Sequence, residues 1–221
     1  MKRWSRCGIM LLCVAIALSA CTAETIQTKP QCDEVGDVRL GAFPFAGTTE
    51  GVLTWIGDQY ELEAGSIRHD LTADRAQTLI KWRPSENRVY SVLIWNDSKE
   101  SAAVTVQWET GVPTLTDVLW CFGEPTLYNA FHAQFAEATW TYLELWYPER
   151  GVKVTAHEPR KTLGFSGTQA ITHIVYVQPG QPRDLIQRFF WAVDRKSERY
   201  VGILQGLKPW PGDIAKITID K

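Results

Sequence analysis

Histidine, serine and carboxylate side chains are the groups of this 221-residue chain that could catalyse a reaction. No two of the four histidines have the i, i+4 spacing that places metal ligands on one helix face: His69, His132, His157 and His173. Ser166 lies in Gly-Phe-Ser-Gly, which is not a full G-x-S-x-G nucleophile motif. A glycosidase pair is defined in space, and no spacing singles one out among Glu109, Glu144, Glu149 and Glu158. The sequence therefore predicts no catalytic residue, no cofactor and no metal site.

The N-terminus has the features of a secretory signal that ends at a cysteine. Lys2, Arg3 and Arg6 precede an apolar run at residues 8–18, shorter than the about 20 residues that a helix needs to span a bilayer. Leu-Ser-Ala-Cys at residues 18–21 then resembles the bacterial lipobox, whose cysteine is acylated and becomes the mature N-terminus. The alternative is an ordinary cleavage site beside an unrelated cysteine. We expect residues 1–20 to be removed and Cys21 to anchor the protein through acyl chains such as palmitate.

Two cysteines remain for a disulfide once the signal is removed. Cys7 and Cys13 leave with the signal and Cys21 takes the lipid, so Cys32 and Cys121 form an even pair in an oxidising compartment. We predict that they are bonded and join the N-terminal segment to a helix. The alternative is two separate thiols, with Cys121 buried as a small apolar side chain.

Ten tryptophans are many for a chain of this length. Each ring buries a large area but carries an N–H group that needs a partner. Trp140 and Tyr142 could share one face of a sheet with five rings at or near predicted strand ends: Trp82, Trp95, Trp108, Trp146 and Tyr147. We expect most of these rings to lie in the core. Any that are exposed would suit contacts with a protein partner or stacking on a sugar.

The hydrophobic pattern predicts short helices that would position these residues. One helix is predicted over residues 48–60, with Thr48 or Thr49 as its N-cap, and a last one over residues 184–193. Between them, a helix at residues 114–122 begins at a variant capping box of Thr114 and Asp117. Gly123 suits the left-handed position that follows this helix, and Pro125 blocks its continuation.

Strands are predicted between the helices from β-branched and aromatic runs that end at turn residues: residues 78–83, 89–95, 102–108, 139–147, 152–157 and 171–178. Residues 61–77 hold either a short helix over residues 72–77 or a long connection. Residues 128–137 form either a strand or a helical turn. Trp210, between two prolines, is predicted to pin the C-terminal tail to the core.

A weak internal repeat relates the two halves of the chain. Residues 52–58 and 118–124 share Val-Leu-x-x-[Ile/Phe]-Gly-acid, and residues 79–84 and 143–148 share Leu-x-x-Trp-x-Pro. The two matches have nearly the same offset and fall in the same kinds of predicted element. We interpret the chain as a tandem duplication, with a tether at residues 21–36, a first repeat at residues 37–110 and a second at residues 111–221 that adds a helix and a tail.

The helix end Leu-Trp-Cys-Phe-Gly-Glu-Pro at residues 119–125, followed by an antiparallel meander, resembles the β-lactamase inhibitor protein fold. It is also similar to the SmpA/OmlA (BamE-type) envelope lipoproteins, in which this helix end typically reads Leu-Leu-Gly-x-Pro. The resemblance covers residues 37–177, with Gln59 in the first copy where proline is expected. It implies an α+β fold of two helix-plus-meander repeats, whose sheet is covered on one face by short helices. Members of that group bind proteins and do not catalyse reactions.

Net charge narrows the choice of partner. Removal of Lys2, Arg3 and Arg6 leaves 20 basic and 25 acidic residues, a net charge of −5. This charge argues against nucleic acid and anionic lipid as main partners. The sequence is best interpreted as a non-enzymatic protein-binding or envelope-assembly lipoprotein on the extracytoplasmic face of a bacterial membrane. The alternatives are a glycan-binding domain and an extracellular hydrolase.

Overall fold

A computed structural model describes residues 31–63, 65–71, 77–97, 101–191 and 199–220. The signal, Cys21 and most of the tether lie outside these residues. So does most of the alternative helix at residues 72–77, although Gln77 itself begins a strand.

Of the four short helices that come first in the described residues, the last two begin at the caps that the sequence predicts and the first two were not predicted. α1 spans Cys32–Val35, a 3₁₀ helix spans Val38–Ala42, α2 spans Thr49–Gln59 and α3 spans Leu115–Phe122. The Thr48 side chain accepts the N–H of Gly51 at the start of α2, and Thr114 and Asp117 form the predicted capping box. Gly123 ends α3 with a φ of 76°, but its ψ of −165° is extended rather than left-handed helical. The prediction for Gly123 was therefore correct in the sign of φ and wrong in the conformation.

Nine strands of the described residues form one antiparallel sheet. They are β1 (Arg68–Leu71), β2 (Gln77–Ser85), β3 (Arg88–Trp95), β4 (Ser101–Trp108), β5 (Leu127–Phe135), β6 (Ala138–Tyr147), β7 (Val152–Glu158), β8 (Ile171–Tyr176) and β9 (Lys208–Pro209). Their order is β1-β2-β3-β4-β8-β7-β6-β5-β9, so β4 and β8 meet at the centre of the eight longer strands. The α+β class is confirmed, and residues 128–137 form mainly a strand.

One face of the sheet, here called the front face, packs under α2, α3 and the N-terminal segment. Val52 and Ile56 of α2 and Leu115 and Val118 of α3 are fully buried against it. Trp210 packs against the same core, which confirms that this ring holds the C-terminal tail.

The opposite, back face is also partly covered. α4 spans Pro182–Trp191 and α5 spans Arg199–Gly206. Leu185 and Ile186 of α4 pack against Trp146 and Val175 of the sheet. The expectation that helices cover one face only is therefore wrong, because a helical period predicts an apolar stripe but not the face that receives it.

The internal repeat can be checked by comparing the faces of the sheet on which its matched residues lie. Trp82 belongs to the front core, whereas Trp146 belongs to the back core. The aligned Leu-x-x-Trp-x-Pro segments are therefore not in structural register, because a shift of one residue reverses the face of a strand residue. Tyr147, rather than Trp146, shares the side of Trp82.

Asp37 links the N-terminal segment to both halves of the sheet. Asp37 is 5% exposed. Its Oδ2 accepts hydrogen bonds from the hydroxyls of Tyr60 at 2.8 Å and Tyr90 at 3.0 Å. Arg39 donates Nε to Oδ1 and Nη2 to Oδ2, both at 2.8 Å. The backbone N–H of Asp37 donates to the Tyr176 hydroxyl on β8 at 3.0 Å. Burial alone would raise the pKa of Asp37, but the hydrogen bonds from Arg39 and Tyr60 outweigh it and hold the pKa below its usual 3.8.

A second link in the same segment is covalent. Cys32 of α1 and Cys121 of α3 form a disulfide with a Cα–Cα distance of 5.2 Å, as predicted. The bond closes a loop over a sequence separation of 89 residues, so it removes much conformational freedom from the unfolded chain. Residues 31–43, here called the N-terminal strap, are thereby fixed to the front side, where Val35, Leu40 and Phe43 are buried.

Asp37→Asn is expected to lower the free energy of unfolding by about 3 kcal/mol at neutral pH, because it removes the charge that Arg39 faces and one acceptor oxygen. The folded-state pKa lies below 3.8. The charge contribution is therefore complete above about pH 4 and is lost as the pH falls through the folded-state pKa. Urea unfolding of wild type and variant, from neutral pH towards about pH 2, measures the difference.

Asp33→Asn is the matched control, because Asp33 is exposed on α1 and its replacement is expected to cost less than about 0.5 kcal/mol. If the difference between wild type and Asp37→Asn stayed constant down to the lowest pH, the ionised carboxylate would not be what stabilises the strap.

Candidate functional site

Three of the five rings that the sequence singles out lie in the two cores. Trp82 and Trp146 are each 1% exposed and Tyr147 is fully buried. The Trp82 ring centroid lies 5.2 Å from that of Tyr90, and the Tyr147 hydroxyl donates to the Gly123 carbonyl at 3.1 Å. As candidate binding aromatics these three are corrected to core residues, because their rings have no surface to offer a partner.

The other two rings, Trp95 and Trp108, are partly exposed but are not brought together. Trp95 pairs with Gln77 at one end of the β2–β3 hairpin, whereas Trp108 pairs with Arg88 at the other end of β3. Trp108 Nε1 donates to the Glu34 carbonyl at 3.3 Å and its ring packs against the front core. Trp108 therefore helps to fix the strap.

Cross-strand register assembles a different set of rings on the back face, beyond the strip that α4 and α5 cover. Phe131 lies opposite Tyr142, and Tyr142 lies opposite His157. The rings of Phe131 and Tyr142 stack with centroids 5.4 Å apart at 10°, and Trp140 stacks on Tyr142 at 6.4 Å and 22°. His157 lies 4.8 Å from Trp140 and 5.4 Å from Tyr142. We call these four partly exposed residues the aromatic patch.

Beside the aromatic patch, one row across the back face is polar. Asn129, Glu144, Thr155, His173 and Gln107 are successive partners on β5, β6, β7, β8 and β4. The first three are at most 7% exposed. Glu144 Oε2 and Thr155 Oγ1 are buried with no hydrogen-bond partner among the described residues. Such atoms are uncommon in folded proteins, and five others lie elsewhere among the described residues.

A buried ion pair lies where α4 covers the polar row. Lys153 Nζ donates to Glu144 Oε1 at 2.9 Å and lies 3.5 Å from the centroid of the Phe189 ring of α4. Burial lowers the pKa of Lys153, while the charge of Glu144 opposes that shift. The pair therefore belongs to the helix-covered part of the face and gives the aromatic patch a rigid border.

Both histidines of this region are poor proton acceptors. Burial is the largest cause that lowers the pKa of His173 to about 3, with smaller contributions from the charges of Lys153 and His157. Burial also lowers the pKa of His157, against a smaller opposing effect of Glu158. His157 Nδ1 lies 3.0 Å from Thr172 Oγ1. At neutral pH the aromatic patch is therefore an uncharged surface.

A recess of about 970 Å³ lies beside the polar row, at the ends of β2, β3 and β4. Its wall includes Gln107 and Thr172 of the back face and Trp82 and Trp108 of the front side, so it lies at the end of the sheet and reaches both faces. Arg83 and Glu109, also in its wall, pair with each other through two hydrogen bonds of 2.6 and 2.7 Å. Because the two side chains form an ion pair, their charges neutralise each other and are not directed at a common point in the recess.

Sequence reasoning named Trp140 and Tyr142 but not Phe131 as part of such a surface, and it treated His157 as an isolated residue. Phe131 lies in the segment for which strand and helical turn were both open, and only the strand places its ring opposite Tyr142. The alternation of Trp140 and Tyr142 on one strand was the signal for a shared face.

Comparisons with known proteins found no matching family model, no matching curated protein and no matching solved structure. Within the described ranges, no group of three or more His, Cys, Asp or Glu side chains is placed to hold a metal ion. No helix in the described part of the chain is long and apolar enough to cross a membrane.

Proposed function

We propose that the chain is a lipid-anchored, extracytoplasmic binding module of the bacterial envelope that docks a protein through the back face of its sheet. The aromatic patch is the observation that carries this proposal. Four partly exposed rings from three strands form one continuous uncharged surface, next to buried polar atoms. A few clustered residues, enriched in Trp, Tyr and Arg, carry most of the binding energy of protein interfaces.

The mutual stacking of the rings favours a protein partner over a glycan. A sugar binds to the open face of an aromatic ring. In the aromatic patch, the Phe131 and Tyr142 faces lie against each other, and one face of Trp140 lies against Tyr142. The patch therefore presents ring edges beside a polar row, and these suit side chains of a protein.

A hydrolase remains the weaker alternative. Its best candidate pair is Thr172 Oγ1 with His157 Nδ1, 3.0 Å apart. An activated hydroxyl needs a base that a third polar group orients. The ring contacts described for His157 are with Trp140 and Tyr142, which suits a packed ring of a contact surface better than a base.

We further propose that the domain is a tandem duplication of the kind found in the β-lactamase inhibitor and SmpA/OmlA groups. Each half is a helix followed by four antiparallel strands, α2 with β1–β4 and α3 with β5–β8, and the halves meet at β4 and β8. Tyr60, which follows α2, packs on Trp82, and Phe122 at the end of α3 packs on Tyr147. Each half therefore packs an aromatic ring near the end of its helix on an aromatic ring of its second strand. The alignment matches Phe122 with Ile56 rather than with Tyr60, so the shared order of one helix and four strands, and not these contacts, supports the duplication.

Tyr142→Ala is expected to weaken binding by at least about 2 kcal/mol, about thirty-fold in Kd, because it removes the ring between Phe131 and Trp140. Crosslinked pull-down from the native envelope, with wild type and variant at equal expression, measures the loss of the partner.

Val201→Ala is the matched control, because Val201 is an exposed apolar residue of α5 at 43% exposure, outside the aromatic patch. It is expected to recover the partner as wild type does. A partner that is retained by Tyr142→Ala, while urea unfolding shows both variants folded, would refute docking at the patch.

Cys21→Ser is expected to release the protein from the membrane into the soluble extracytoplasmic fraction, because acyl chains supply the membrane affinity. Fractionation followed by immunoblotting measures the shift. Cys32→Ser with Cys121→Ser leaves Cys21 intact and is expected to stay in the membrane fraction. Equal membrane fractions for wild type and Cys21→Ser would refute the anchor.

A further inference from the structure

The disulfide fixes where the chain leaves the domain. Cys32 is bonded to Cys121 of α3, and α3 covers the front face of the sheet. Ten residues separate Cys21 from Cys32, so the tether reaches no more than about 40 Å. This length is comparable with the diameter of a domain of this size. A lipid on Cys21 would therefore hold the exit point on the front side within about 40 Å of the membrane, close enough for residues beside that point to reach the bilayer.

The front side carries exposed apolar residues, one of which adjoins this exit point. Trp120, next to the bonded Cys121, is 55% exposed, Val38 of the strap is 83% exposed and Leu163 is 97% exposed. Each belongs to a segment whose inward side chains lie in the front core: Leu40, Val118 and Phe165. The three exposed side chains therefore lie on the outer surface of the layer that covers the front face.

The chemistry of these residues fits the interface of a bilayer. Tryptophan combines an apolar ring with an N–H donor and is enriched at the level of the lipid headgroups. The mature net charge of −5 gives no attraction to anionic lipid, so contact would depend on apolar burial and on the acyl anchor.

We infer that Trp120 rests in the headgroup region of the membrane, with Val38 and Leu163 beside it, and that the aromatic patch on the back face points away from the membrane. The inference rests on the lipid anchor proposed above. It adds an orientation to that anchor, because a tether alone would allow the domain to turn.

Quenching by brominated lipid tests this orientation. The mature acylated chain is reconstituted into phosphatidylcholine vesicles with and without brominated acyl chains, and its tryptophan fluorescence is compared. Wild type is expected to lose fluorescence in brominated vesicles, and Trp120→Phe to abolish most of that loss. Trp95→Phe is the matched control, because Trp95 is a partly exposed ring at the end of β3, and its quenching is expected to equal that of wild type.

The outcomes separate the anchor from the orientation. Equal quenching in wild type and Trp120→Phe, or no quenching in a wild-type protein that sediments with the vesicles, would overturn the orientation and leave the anchor intact. A chain purified from membranes without acyl groups on Cys21, which does not sediment with the vesicles, would overturn both.

Discussion

The carboxylate of Asp37 is the interaction on which the rest of this structure depends. It accepts five hydrogen bonds, three from Arg39 and one each from Tyr60 and Tyr90, while its own N–H binds Tyr176 across a sequence separation of 139 residues. An ionised carboxylate is stable in a buried position only when charge and hydrogen bonds compensate its lost hydration. The compensating groups come from the strap, from the end of α2 and from β3 of the first half. The strap must therefore be docked on the first half before the charge is satisfied, and the bond from the Asp37 N–H to the Tyr176 hydroxyl joins it to the second half.

Once the strap is fixed, the two sides of the sheet have different roles. The front side holds the strap, the disulfide and the point where the tether begins. The back side is divided between a strip under α4 and α5 and the aromatic patch beyond it, with Lys153 and Glu144 at the boundary. The proposed anchor on one side and the aromatic patch on the other are compatible with a membrane-bound docking module. The strap connects the two proposals, because the disulfide holds the point where the tether joins the domain on the front side.

Local sequence signals predicted the parts of the fold that depend on interactions between residues close together in the chain. Caps at Thr48 and Thr114 predicted α2 and α3, and β-branched and aromatic runs that end at turn residues predicted the six longer strands other than β5. Counting cysteines predicted the Cys32–Cys121 bond. β1 was not predicted because its four residues are all exposed, and β9 is only two residues long. Long-range strand register sets three features that the pattern of a single segment does not encode. These are the partners of Asp37, the face of the sheet that receives α4, and the rings that join Trp140 and Tyr142 in the aromatic patch.

The central claim is that opposite sides of the domain contact a protein and the membrane. A photo-crosslinking amino acid placed at position 142 or at position 120 of the full chain, and irradiated in intact cells, tests both sides under the same conditions. We expect position 142 to give a discrete protein adduct and position 120 to give lipid adducts. Protein adducts at position 120 together with lipid adducts at position 142 would contradict the account.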